Sequence, residues 1–133
     1  MGRCVLDTSV LIAMERKDIS LRSAINRDED ILVPAIAMAE YLVGLHWSKN
    51  PREREQVTLN LRAIEQISRI LDFGEKEAKA FAVLKAEALH AGERRTDFDL
   101  AMAAHAVVED AILVTRDKNA RLSELTGVVT REV

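Results

Sequence analysis

Apolar residues along this chain fall into short unbroken runs separated by longer stretches of helical spacing. Cys4-Val5-Leu6, Ile31-Leu32-Val33, Ile70-Leu71 and Ala111-Ile112-Leu113-Val114 are of strand length and lack the in-and-out alternation of a half-exposed strand, which marks strands covered on both faces. They predict strands over 3–7, 31–33, 70–73 and 111–115, with a last one over 128–130. Between them, helices are predicted over 10–16, with Thr8 and Ser9 as capping hydroxyls, and over 19–27. A third runs over 35–49, where Met38, Leu42 and Leu45 share a face until Asn50-Pro51 stops it, because proline restrains the residue before it. A long charged helix over 52–68 follows, then one from Gly74 to Gly92 with Ala78, Phe81, Leu84, Ala88 and Leu89 as its apolar face, then an alanine-rich helix over 99–110. Buried strands alternating with helices predict an α/β fold of three layers, a twisted and mainly parallel sheet flanked by helices, forming one domain over 1–133.

Four acids interrupt this pattern where apolar or neutral residues are expected. Asp7 ends the first strand, Glu40 stands inside Ala37-Met38-Ala39-Glu40-Tyr41-Leu42-Val43, Asp99 precedes Leu100-Ala101-Met102, and Asp117 follows the strand that ends at Thr115. Each has a plain alternative: Asp7 and Asp99 as helix caps, Glu40 as a solvated helical glutamate, Asp117 as a turn residue. A charge among core-forming residues is nevertheless costly unless something pairs with it. In parallel sheets the ligand site forms beyond the carboxyl ends of the strands, where Asp7 and Asp117 are expected to emerge.

Composition narrows the chemistry. A chain of 133 residues with a formal charge of −3 is not a nucleic-acid binder driven by bulk charge, yet it can be an enzyme that concentrates cations in a carboxylate cluster. The lone Cys4 has no intrachain disulfide partner, and the first twenty residues hold no uninterrupted apolar segment; the expectation is a cytoplasmic protein with no membrane association. No cysteine or histidine pair has zinc-like spacing, and His46, His90 and His105 are scattered, His105 reading as a helix-packing residue. Converging carboxylates would instead suit a hard divalent ion, Mg2+ or Mn2+, and the chemistry such an ion supports on a phosphodiester is hydrolysis.

In order and together, four blocks resemble the PIN-domain family, particularly its VapC toxins: Val5-Leu6-Asp7-Thr8-Ser9-Val10, Pro34 to Gly44 with Glu40, Asp99-Leu100-Ala101-Met102-Ala103-Ala104-His105-Ala106, and Leu113-Val114-Thr115-Arg116-Asp117. The resemblance implies a divalent-metal-dependent endoribonuclease with Asp7, Glu40, Asp99 and Asp117 as metal-binding and catalytic acids, an RNA substrate, a cognate antitoxin of VapB type, and a homodimer. Ser9, Asp97 and Thr115 are expected to support those acids. Arg94, Arg95, Arg116 and Lys118, with Arg121 beside them, are expected to meet RNA phosphates, while Tyr41 and Trp47 are expected to be buried in the core or a dimer interface. The alternative is a PIN-like module that binds RNA or protein without cutting. Phosphatase, receiver and dinucleotide-binding folds do not fit: position 9 is serine rather than aspartate, the first strand ends in a single acid, and no G-x-G-x-x-G occurs.

Overall fold

The computed structural model describes residues 2–133. Five strands, β1 (Gly2–Leu6), β2 (Glu29–Pro34), β3 (Arg69–Leu71), β4 (Ile112–Thr115) and β5 (Thr130–Glu132), form one sheet in the order β3-β2-β1-β4-β5 with every pairing parallel. Helices α1 (Thr8–Glu15), α2 (Leu21–Ala24), α3 (Ala35–Trp47), α4 (Pro51–Ile67), α5 (Glu75–His90) and α6 (Asp97–Val108) supply the connections. Helix α1 packs with α3 and α4, α5 packs with α6, and α3 also meets α6. Among the described residues, no helix is long and apolar enough to cross a membrane.

The unbroken apolar runs make the centre of this sheet, with Val5, Leu6, Val33, Leu113 and Val114 fully buried. Cys4 is buried too, its Sγ donating to the Asp30 carbonyl at 3.5 Å. Burial pushes its thiol up to about 11, so it packs as a small hydrophobe and is no nucleophile. All of residues 100–106 in α6 are buried. Alanine at four of those seven positions lets the helix lie close against β1 and β4, which it contacts.

Helices α1 and α6 and strand β2 start two residues earlier than expected, and three further boundaries also depart from expectation. The second helix is a single turn because Ser20 and Ser23 cap it reciprocally and Ile25 returns to extended backbone at φ −133°. The third strand stops at Leu71, and Phe73 instead sets its ring edge-on to Phe81 and His105. The last strand begins at Thr130, since the register pairs Leu113 with Thr130 and turns Val128 into the core.

His105 is the packing residue the sequence suggested, but an expensive one. It is fully buried, and neither ring nitrogen has a hydrogen-bond partner among the described residues. Burial holds its pKa below the ordinary value, with Glu77 and Glu109 opposing that in part. The folded state thus excludes a proton that the unfolded chain takes up below about pH 6.5, so stability falls as pH drops from there through the depressed folded value. His105→Leu is expected to add about 1–2 kcal/mol at neutral pH and to flatten that acid-side loss. Urea melts at pH 7.5 and 5.5 measure both, and an unchanged slope against pH would rule out His105 as its source.

Candidate active site

The sheet order places a switch point at β1: the chain steps outward to β2 and β3 on one side, then returns to β4 and β5 on the other. Connections leaving β1 and β4 diverge there, opening a crevice at their carboxyl ends. Asp7 follows β1 directly, and Arg116 and Asp117 follow β4.

Asp7, rather than Thr8 or Ser9, caps α1: its Oδ1 accepts from the Val10 amide at 3.2 Å. This frees the two hydroxyls for other work. Ser9 Oγ donates to Asp7 Oδ1 at 2.5 Å and accepts from the Arg116 amide at 3.0 Å, stitching the ends of β1 and β4 together. Thr115 also hydrogen-bonds the Asp7 carboxylate, and its Oγ1 accepts from the Asp117 amide at 2.9 Å. Thr8 Oγ1 donates to Glu40 Oε1 at 2.5 Å, a link between α1 and α3 that the capping reading of Thr8 had hidden.

Asp7 is only 6% exposed. Desolvation raises its pKa and the charge of Asp99 adds to that, against the hydrogen bonds of Ser9, Thr115 and Val10. Asp99 is half-buried near the start of α6, which Thr96 caps by accepting from the Asp99 amide at 3.1 Å. Its pKa is also raised, by burial first and then by the charges of Asp117 and Glu40, while the Thr96 bond and Arg95 lower it. The four acids are therefore electrostatic neighbours with Asp99 at the centre. They do not close on one another: among the described residues, no three acidic, histidine or cysteine side chains form a ligand set for a metal ion. Glu40 is turned to Thr8, and Asp117 Oδ1 accepts the Asn119 and Ala120 amides at 3.0 and 3.2 Å.

Several expected partners sit elsewhere. Asp97 is ion-paired to Lys85 of α5 at 2.5 Å; two residues along a helix rotate a side chain by roughly 200°, so Asp97 and Asp99 face different ways, and Asp97 borders an apolar pocket with Phe81 and Phe98. The Arg95 side chain is 5% exposed, its guanidinium committed to Glu93, Glu124 and the Ala120 carbonyl, so it is not available to RNA. Arg116 and Lys118 are exposed, as is Arg94. Arg94 also lines a cleft of about 400 Å3 with Asp99, Asp117, Asn119 and Arg121. Tyr41 is buried, its hydroxyl donating to Glu15 and accepting from Asn60 Nδ2. Trp47, at the end of α3, is 84% exposed instead of buried in the core.

An all-parallel sheet in this order, with carboxylates at the switch point, defines a class of acid-bearing α/β domains. The chain matches the PIN domain family over residues 4–126 and belongs to it. Its relatives include ribonuclease VapC2 of Haemophilus influenzae, 32% identical over 122 residues and 88% of each chain. Ribonuclease VapC of Rickettsia bellii is 32% identical over 78 residues, 59% of this chain and 58% of that protein. The fold is shared with the VapBC2 complex of Rickettsia felis bound to a promoter DNA fragment, with TM-score 0.86, 22% identity and 98% of each chain covered. It is shared as well with VapBC-5 of Mycobacterium tuberculosis, with TM-score 0.82, 24% identity and full coverage of both chains.

Proposed function

We propose that this protein is an endoribonuclease that hydrolyses RNA phosphodiester bonds with Mg2+ or Mn2+. In this reading it works in the cytoplasm, as a homodimer, as the toxin whose activity a VapB-type antitoxin restrains. The observation that carries the reading is the placement of Asp99 within electrostatic reach of Asp7, Glu40 and Asp117 beside the switch point, in a domain whose relatives are ribonucleases. An all-oxygen donor set of like charges fits a hard divalent cation. Asp7 and Asp99 would hold it from their anchored positions, with Glu40 and Asp117 as the further donors. Such an ion, when bound, supplies an activated water and a counter-charge to the phosphate.

The chain's own residues do the rest. The Ser9 and Thr115 hydroxyls and the Val10 amide fix the orientation of the Asp7 carboxylate, and the buried α6 gives Asp99 a rigid mount. Arg94, Arg116 and Lys118 are free to meet phosphates on either side of the scissile bond. The second reading, a module that binds without cutting, draws on the engagement of Glu40 with Thr8 and of Asp117 with its own loop.

The two readings part in a cleavage assay on total RNA. Cleavage that needs Mn2+ or Mg2+, stops with chelator and resumes on readdition is the expected result; RNA bound but uncut under all conditions favours the second reading. Co-expression with the product of a small neighbouring gene is expected to restore growth.

A further inference from the structure

We propose that Arg95 is a positioning residue that sets Asp117 against Asp99, an inference that rests on the nuclease reading of these acids. Its side chain is 5% exposed, which takes a guanidinium out of water and demands partners. They are Glu93 at 2.5 Å, Glu124 at 3.6 Å and the Ala120 carbonyl. Arg121 reaches the same two glutamates only at 3.9 Å and is largely exposed, so Arg95 is the inner cation of the cluster.

What distinguishes Arg95 from an ordinary buried ion pair is where its bonds lead. The Ala120 carbonyl it holds belongs to the residue whose amide donates to Asp117 Oδ1 at 3.2 Å. On its other side Arg95 precedes Thr96, whose hydroxyl accepts the Asp99 amide. The guanidinium therefore ties the loop that presents Asp117 to the segment in which Arg95 itself lies, directly before the Thr96 cap of α6, and the two acids line one cleft beside it. Its Nε is buried without a partner in that cleft wall, and its charge reaches Asp99. Lysine at this position keeps the charge but gathers its donors on one nitrogen, whereas here the two Nη atoms serve different partners, Nη1 the Ala120 carbonyl and Nη2 the two glutamates.

The test compares wild type, Arg95→Met and Arg95→Lys. Mn2+ affinity is measured by calorimetry, hydrogen exchange of the Asn119 and Ala120 amides in metal-free protein, and RNA cleavage as kcat and KM separately. The expected result is Mn2+ binding weakened about 10- to 100-fold in Arg95→Met, the range for residues that orient metal ligands. The two amides exchange faster, kcat falls with KM within about twofold, a split in the manner of lost orientation, and Arg95→Lys recovers part of each. Arg95→Lys keeps the charge and carries the comparison if Arg95→Met does not fold. A rise in KM with unchanged Mn2+ affinity would make Arg95 an RNA contact and overturn the proposal. So would a lower melting temperature with Mn2+ affinity and kcat intact. Wild-type protein that neither binds Mn2+ nor cuts RNA refutes the nuclease reading itself, which separates the two failures.

Discussion

Asp99→Asn is expected to lower RNA cleavage by at least about a hundredfold and, in the same protein, to raise the stability of the metal-free fold. The first effect follows from the proposed role: residues that merely orient metal ligands are worth 10- to 100-fold, so a ligand itself costs at least the upper end of that range. The second follows from what is on the page without any ion. Burial, Asp117 and Glu40 all oppose the charge on Asp99, and asparagine removes that charge while keeping shape and the helix's first turn. The gain is about 1 kcal/mol, a few degrees in melting temperature. Asp7→Asn is expected to behave alike, because asparagine caps a helix as well as aspartate does and because desolvation dominates the burden on Asp7. Activity falling while stability rises is the signature of a site kept for function at a cost to the fold. Thermal melts in chelator, run beside cleavage assays, measure both, and unaltered cleavage by both variants would falsify the assignment of these acids.

Arg131→Ala is expected to cost about 2–4 kcal/mol, far more than an exposed ion pair. Arg131 on the edge strand β5 forks onto Glu29 at the start of β2, at 2.7 and 2.9 Å, and adds a bond to the Ala24 carbonyl at 3.2 Å. The Glu29 side chain is 5% exposed and that of Arg131 26%, so removing the cation strands a buried carboxylate. Glu29 is held below its ordinary pKa by the Arg131 bonds first and the Asn26 amide after burial has opposed them. A carboxylate with a depressed folded pKa contributes stability fully above the unfolded value of about 4.3 and loses it as pH falls through the folded value. Urea denaturation of wild type, Arg131→Ala and Glu29→Gln at pH 7 and at pH 3 checks the sign: both variants lose less on acidification than wild type does. A cost under about 1 kcal/mol at pH 7 would reduce the bridge to a surface pair.

Much of the fold was legible because a parallel strand covered on both faces must be apolar at every position, and the runs at 4–6, 31–33 and 111–114 show that directly. Helix ends were less legible. The cap of α1 went to Asp7, one of the three residues the sequence offered, and that of α6 to Thr96, three residues before the Asp99 that was offered, because any of several nearby small polar residues can cap and only backbone geometry selects one. Asp97 and Arg95 show the same limit within the site. A sequence lists both beside Asp99, but helical rotation sends Asp97 to Lys85, and a turn folds Arg95 under the 117–121 loop.

By itself the sequence determined the class of fold and the family and singled out four acids as candidates, since each depends on residue type at a position along one chain: which segments are apolar throughout and which of them an acid interrupts. Only the tertiary structure decided which groups meet. The Ser9 bridge to Arg116, the Thr8 bond to Glu40, the Arg131–Glu29 fork and the Arg95 clamp join residues brought together by strand order and helix rotation. A hydrogen bond needs its partners within about 3 Å, a condition that spacing along the chain does not encode once the sheet reorders its strands.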